Sequence, residues 1–312
     1  MQAIRFHQVG DADVLRLEDV ARPEPAAGQV RIRVAGAAFN PADAGIRAGR
    51  LPIPVTLPHI PSYDVSGTVD ALGEGVDSLA VGDAVIGFLP MTEDGAAAEY
   101  AIAPAETLTA APTGLPLADA AGLPSVALTA RQALFDEAGL VSGQRVLIMG
   151  AGGPVGGYAV QLAARAGAHV IATASPRSRA SIEASGAHQI IDHADASPLE
   201  AVDEPVNVLL NLAPLDPAEL EGLVALVRDG GVLVSTTAWM PAPGDEARGV
   251  RGVVVYVRSD RAQLAELVAL VDAGELRVEI AERVPLAELP AVHARAAVGA
   301  VHGKVIALPA GA

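Results

Sequence analysis

Residues 145–175 read RVLIMGAGGPVGGYAVQLAARAGAHVIATAS, and the order of residue types in this stretch decides the fold. Its opening run, Arg145 to Met149, is too short and too apolar for anything but a buried parallel strand. Gly150, Gly152, Gly153 and Gly156 follow; there the chain can turn tightly and bring backbone N–H groups up to a phosphate. Pro154 suits a first helical turn, where the N–H it lacks has no intrahelical acceptor. The spacing predicts a helix over 154–166 with Val155, Ala159, Leu162, Ala163 and Ala166 on its inner face, then a strand over 169–174. Such a helix aims its positive end at the glycines. Strand, glycine turn, helix and strand make the βαβ unit that cradles a dinucleotide pyrophosphate, here with Gly150, Ala151, Gly152, Gly153, Pro154, Val155 and Gly156. The pattern through Ala151, Gly153 and Gly156 is A-x-G-x-x-G, and a glycine turn that packs a helix and binds nothing is the alternative.

The end of the second strand bears on which dinucleotide binds. An NAD site places a carboxylate about 20 residues beyond the glycines, on the ribose 2′-hydroxyl. Here the strand ends Thr173-Ala174-Ser175 and continues Pro176-Arg177-Ser178-Arg179. Hydroxyls and two guanidinium groups suit a 2′-phosphate, which Arg meets bidentately. The expected cofactor is therefore NADPH, with Ser175, Arg177 and Arg179 at its 2′-phosphate. The bland reading is a solvated helix start.

The rest of the chain sets limits around that unit. Its 312 residues can bury two cores, and 51% of them are hydrophobic while 3% are aromatic. A formal charge of −16 argues against nucleic acid as a partner. With no apolar run of about 18 residues and no N-terminal signal pattern, a soluble cytoplasmic protein is expected. The chain has no cysteine, which removes disulfides, cysteine-ligated metals and a cysteine nucleophile. Its 7 histidines are scattered and read as surface or hydrogen-bonded residues, and Lys304, the single lysine, reads as an ordered surface side chain.

Short alternating runs over 3–8, 14–19, 29–38, 66–72, 84–88 and 97–102, with turn clusters between them, predict a β-rich N-terminal region. The period becomes helical over 117–138. Strands at 145–149, 169–174, 188–191, 206–211 and 231–236 then alternate with helices at 154–166, 177–185 and 217–229, and Gly230-Gly231 reads as a helix stop. A β-branched run at 253–257 precedes a helix over 261–273. The expected fold class is α/β, a Rossmann-type doubly wound parallel sheet interrupting a β-rich domain. The apolar run 253–257 would be a liability as a bare sheet edge, so it is expected to pair across a two-fold axis in a homodimer.

The whole arrangement resembles the medium-chain dehydrogenase/reductase superfamily, in its zinc-independent, zeta-crystallin-like quinone oxidoreductase branch. The segments that carry the resemblance are MQAIRFHQVGDADVLRLEDV with FNPADAGIRAG near the start, SYDVSGTVDALGEGVDSLAVGDAVIG, GLPSVALTARQAL, the glycine loop and Gly303-Lys304-Val305. It implies a GroES-like β-barrel substrate domain over 1–115 and 274–312, and a Rossmann NADPH-binding domain over 116–273. It further implies hydride transfer from nicotinamide to a quinone. The alternatives are an enone or enoyl thioester as acceptor, or an NADPH-binding protein with a sensing or structural role.

Residue by residue, Asn40 resembles the family asparagine beside the nicotinamide ribose, and Thr129 the threonine near the nicotinamide. Asn211, Leu212 and Ala213, with Thr236, Thr237 and Ala238, end strands on the cofactor side. Val253 and Val255 resemble backbone that meets the carboxamide, and His193 stands where a tyrosine approaches the adenosine phosphate. Lys304 is placed with the cofactor-binding residues. Tyr63 either bonds or protonates the substrate oxygen, or packs in the core while Asp64 caps a turn. Three departures from the family pattern stand out: Pro154 for a glycine, Leu51-Pro52 for a tyrosine, and Asn211 for an aspartate.

Overall fold

Period-two alternation of β-branched and polar residues puts the N-terminal region into strands. The computed structural model describes residues 1–237 and 240–310, and its packing separates two units, Met1–Ser125 with Ser259–Ala312, and Val126–Arg258.

In the first unit Gln29–Phe39 is the central strand of a seven-stranded sheet. Asp64–Leu72 pairs antiparallel along one side, and Tyr100–Pro104 and Val305–Leu308 share the other. Ala84–Phe88 and Leu108–Ala110 extend the sheet one way, and Glu282–Pro285 extends it the other through a parallel pairing with Val305–Leu308. Two register shifts in the central strand, at Arg31/Ile32 and Val34/Gly36, bend the sheet. The N-terminal hairpin is Gln2–Arg5 with Arg16–Asp19, shorter than the runs expected at 3–8 and 14–19. The strand expected at 97–102 begins later, at Tyr100, because Ala96 and Ala97 donate their N–H groups to Ser62 O and Pro61 O instead.

The second unit has six strands in the spatial order Gln189–Asp192, His169–Ala174, Arg145–Met149, Val206–Asn211, Val227–Ser235, Arg251–Val254. All of these pairings are parallel, as a doubly wound sheet requires. Counted along the chain, the strands lie in the order 3-2-1-4-5-6, so the order reverses at Arg145–Met149, the strand that leads into the glycines. Leu147, Ile171, Leu209 and Leu233 are fully buried across the middle of this sheet. A leucine so buried contributes about 2 kcal/mol through removal of apolar surface from water.

Helix Pro154–Arg165 turns Tyr158, Ala159, Val160, Leu162 and Ala163 inward, while Val155 and Ala166, expected inside, are half-buried. The helical region at 117–138 is a 3-10 stretch, Leu117–Gly122, an α-helix, Pro124–Arg131, and a π-helical turn, Gln132–Glu137. The helix at 217 ends by Leu226, and Gly230-Gly231 is no helix stop: both glycines lie inside strand Val227–Ser235, where the register against Val206–Asn211 slips. Gly230 has φ 73°, so the pair serves a bulge, not a cap. Helix Arg261–Asp272 falls in the first unit, although it lies within the 116–273 range that the resemblance implies for the nucleotide domain, and Asp272 Oδ1 accepts the Thr113 N–H at 2.7 Å. A period reports the element type; it says nothing of the sheet on which an element packs.

Candidate functional site

The glycine segment of the second unit has a geometry that fits a phosphate cradle. Gly150 has φ 75° and donates its N–H to Thr173 Oγ1 at 2.9 Å, which ties the turn to the neighbouring strand. A Cβ at Gly152 would lie 2.4 Å from Ser178 Oγ, so only glycine lets this loop meet the turn at Ser175. At the helix start the Gly153 N–H is taken by Gly150 O at 3.1 Å, and Pro154 has no N–H. Gly157 makes the first helical bond, to Gly153 O at 3.0 Å. Val155 and Gly156 therefore supply the first-turn donors that lack an intrahelical acceptor. The proline costs the cradle one donor, and two remain for an anion at a positive helix end.

Beside the cradle the turn after strand His169–Ala174 is pre-shaped. Ser178 Oγ accepts the Ser175 N–H at 3.2 Å and lies 3.3 Å from Ser175 Oγ. Arg177 and Arg179 are exposed, and neither forms an ion pair among the described residues. His193 follows strand Gln189–Asp192, exposed, its N–H 3.4 Å from Ala174 O. The residues present thus fit a dinucleotide with a phosphorylated ribose: a cradle that a Cβ would fill, helix-start donors, and uncommitted guanidinium groups.

Other expected members of this site serve the protein itself. Asn211 is fully buried; its Nδ2 donates to Ser235 Oγ at 3.3 Å and its Oδ1 accepts from Ala213 N at 3.2 Å. Thr237 is buried, with Oγ1 2.6 Å from Ser235 Oγ, and Thr236 Oγ1 donates to Asn211 O at 3.4 Å. These side chains tie the strand ends together, and an amide can do so where a carboxylate would leave the hydroxyls to carry its charge. Leu212 and Ala213, half-buried, continue from that strand, and the Leu212 N–H bonds Met149 O at 3.0 Å. Val253 lies in the outer strand, the Val255 N–H is taken by Ser235 O at 2.8 Å, and Thr129 is buried in its helix. Ala238 lies outside the described residues.

The first unit holds a second polar cluster around Asn40. The Asp64 carboxylate, with 0% side-chain exposure, accepts from Asn40 Nδ2 at 2.9 Å, Ser125 N at 2.8 Å, Ser125 Oγ at 2.6 Å and Lys304 Nζ at 3.2 Å. Lys304 also donates to Asn40 Oδ1 at 2.5 Å, and its side chain is only 2% exposed. The reading of Lys304 as a surface lysine is therefore corrected: Asp64 offsets the desolvation of its ammonium. Asp43, one turn into helix Pro41–Arg47, accepts the Asn40 N–H at 2.6 Å and the Ser62 N–H at 3.1 Å. Burial pushes its carboxyl up to about 7, with those N–H bonds and Lys304 pulling down and the charge of Asp64 adding to the rise. Ser62 itself has φ 71°, a left-handed conformation rare for a residue with a Cβ.

Tyr63 does not present its hydroxyl. The residue is 1% exposed and Oη lies 2.8 Å from His59 Nε2, so its expected catalytic role gives way to a structural one. Burial raises the phenol well above its usual pKa, and burial lowers that of His59, so the pair is a neutral hydrogen bond. Asp64, expected to cap a turn, instead holds the start of helix Pro124–Arg131 and the ammonium.

His293 departs from the surface or hydrogen-bonded reading. It is fully buried, neither ring nitrogen has a partner among the described residues, and its ring meets Phe39 edge-on with centroids 4.8 Å apart. Burial, with the nearby Arg47 charge, lowers its pKa to about 3 from the usual 6.5. The unfolded chain gains a proton between these values that the folded chain refuses, so this residue's contribution to stability falls as pH drops below 6.5. Substituting His293→Leu should flatten the pH dependence of the urea midpoint, removing about 1.4 kcal/mol per pH unit between pH ~6 and ~4. An unchanged slope would refute the assignment.

Two family descriptions match the chain: an alcohol dehydrogenase GroES-like domain at residues 26–113 and a zinc-binding dehydrogenase at 185–306. The residues do not fit zinc, since the chain has no cysteine and no cluster of three or more His, Asp or Glu stands together among the described residues. The chain is 32% identical to the quinone oxidoreductase of Sus scrofa over 287 residues, covering 88% of this chain and 86% of that protein. The solved quinone oxidoreductase of Coxiella burnetii shares 31% identity at a TM-score of 0.89 over 99% of both chains. The Escherichia coli quinone oxidoreductase, solved with NADPH, shares the fold at a TM-score of 0.87 and 23% identity over 99% of this chain and 100% of that one.

Proposed function

The chain belongs to the medium-chain dehydrogenase/reductase superfamily, in its quinone oxidoreductase branch, and from that premise we propose that it reduces quinones with NADPH and without zinc. The observation that carries this reading is the pairing of the glycine cradle with a neighbouring strand end that has no carboxylate but two exposed arginines and two hydroxyls. Val155 and Gly156 N–H groups would hold the pyrophosphate, and Arg177 and Arg179, with the Ser175 and Ser178 hydroxyls, the 2′-phosphate.

When bound, the reduced nicotinamide supplies hydride, one hydrogen with both bonding electrons, and becomes the oxidised cofactor. The balance is quinone, hydride and one solvent proton giving hydroquinone. The protein binds and orients the donor and meets the negative charge that appears on the acceptor oxygen.

The test is NADPH and NADH consumption against a panel of quinones, conjugated enones and enoyl thioesters. Turnover of quinones with NADPH is expected. Enones alone would make the protein an ene-reductase, and no turnover at all would make it a binding protein. Arg177→Ala combined with Arg179→Ala should weaken NADPH binding by about 10²-fold, as the loss of two charge-assisted contacts implies, and leave NADH almost untouched. Equal losses would remove the 2′-phosphate assignment.

A homodimer belongs to the same proposal. Strand Arg251–Val254 is outermost in its sheet, Val253 is half-buried, and Tyr256 beyond it is 70% exposed. A second copy paired along that edge would cover the exposed outer strand. Sedimentation at micromolar concentration should show twice the 31.5 kDa chain mass, and a monomer would refute the dimer.

A further inference from the structure

We infer that Lys304 and Asp64 are positioning residues for Asn40, holding its carboxamide so that one Nδ2 hydrogen is left as a donor to the oxyanion that develops on the substrate. The inference rests on the hydride-transfer reading above.

Asn40 is gripped at every other polar point. Its backbone N–H goes to Asp43 at 2.6 Å, its Oδ1 accepts from Lys304 Nζ at 2.5 Å, and one Nδ2 hydrogen goes to Asp64 Oδ2 at 2.9 Å. An ammonium only donates and a carboxylate only accepts, so the charges leave the amide a single orientation. The second Nδ2 hydrogen has no acceptor among the described residues. Of the three side chains Asn40 alone is half-buried, against 2% and 0% exposure for Lys304 and Asp64, so it carries the part of the cluster that a ligand can reach. Lys304 cannot act directly from such depth, and Tyr63 has given its hydroxyl to His59.

The cluster suits developing charge better than a neutral carbonyl. Hydride adds to the acceptor with both its electrons, the conjugated π electrons shift, and a full negative charge comes to rest on oxygen until water protonates it. The ammonium on Oδ1 withdraws electron density from the amide and makes the remaining N–H a stronger donor, in surroundings where little water competes. Such a donor needs no rearrangement as the charge appears. Asn40 gives a hydrogen bond and keeps its proton.

Two variants test this. Asn40→Ala leaves the Lys304–Asp64 pair intact, and Lys304→Met combined with Asp64→Asn removes both charges so that neither is left buried alone. Each should lower kcat by about 10²-fold, the usual effect of losing one oxyanion donor, with the Kd for NADPH unchanged. A weaker Kd at unchanged kcat would overturn the inference and give Asn40 to the cofactor ribose; no change in either would make the cluster purely structural. A readout free of turnover comes from the single lysine, because labelling lysine with ¹⁵N at Nζ yields one ammonium signal. In cofactor-free protein that signal should shift and exchange faster in Asn40→Ala, and an unmoved signal would show that the Lys304–Asn40 bond is not made. Wild-type protein that turns over no acceptor sinks the reductase reading and the donor role with it. Turnover with no loss in either variant sinks only the inference.

Discussion

Asp64→Ala should destabilise the protein by about 3–5 kcal/mol, a large share of the stability of an ordinary domain. The carboxylate is fully buried and accepts four hydrogen bonds, from Asn40, from Lys304 and from the backbone and hydroxyl of Ser125. Truncation strands the Lys304 ammonium at 2% exposure without its hydrogen-bonded counter-charge and removes the anion from the start of helix Pro124–Arg131. The cost comes from what is left behind, and removing both partners avoids most of it. Asp64→Asn with Lys304→Met should therefore recover much of the loss. Urea unfolding of the two variants beside wild type measures both statements. Asp64→Ala within about 1 kcal/mol of wild type would mean that the pair is hydrated in solution.

Neighbouring glycines in the cofactor helix should respond in opposite directions. A Cβ at Gly156 would stand 2.4 to 2.6 Å from the O, Cα and C of Ala151, all backbone atoms that no rotamer can move aside. Gly156→Ala must push the helix off the loop, at about 2–3 kcal/mol, and NADPH binding should be lost with the cradle. Gly157 has nothing within 4 Å of its would-be Cβ and lies inside the helix. Gly157→Ala should raise stability by about 0.5–1 kcal/mol, with cofactor affinity retained, because alanine loses less backbone entropy on folding. Thermal melts and cofactor titrations of both variants decide the matter. Equal behaviour would mean that the helix and loop do not touch as described.

The nucleotide unit was largely legible because its signals are local. The glycines, the proline at the first turn and the apolar runs on either side lie within 31 consecutive residues, and strands Arg145–Met149, His169–Ala174 and Val206–Asn211 stand where the pattern puts them. Local rules failed where a glycine pair had two uses. Gly230-Gly231 looks the same as a helix stop or a strand bulge until Val206–Asn211 is laid alongside.

The Asn40 cluster was only half legible. Asn40 and Lys304 stood out, one by its resemblance to the family asparagine and the other as the single lysine, but 264 positions separate them. His59, Asp43 and Ser125 gave no distinguishing signal, since each type is ordinary in a loop or helix start. Tyr63 was open to two readings, and the depth of the strand start at Asp64, with His59 at 2.8 Å, selected packing over chemistry.

By itself, then, the amino-acid order determined the parallel sheet, the cradle, the arginines that follow it and the absence of thiol ligands, because each depends on residues close in the chain or on composition. Tertiary structure alone decided which polar side chains are consumed within the protein. Burial and partnership depend on segments brought together from opposite ends of the chain: strand Val305–Leu308 pairs antiparallel with the end of Gln29–Phe39, and that pairing delivers the ammonium of Lys304 to Asn40 and Asp64.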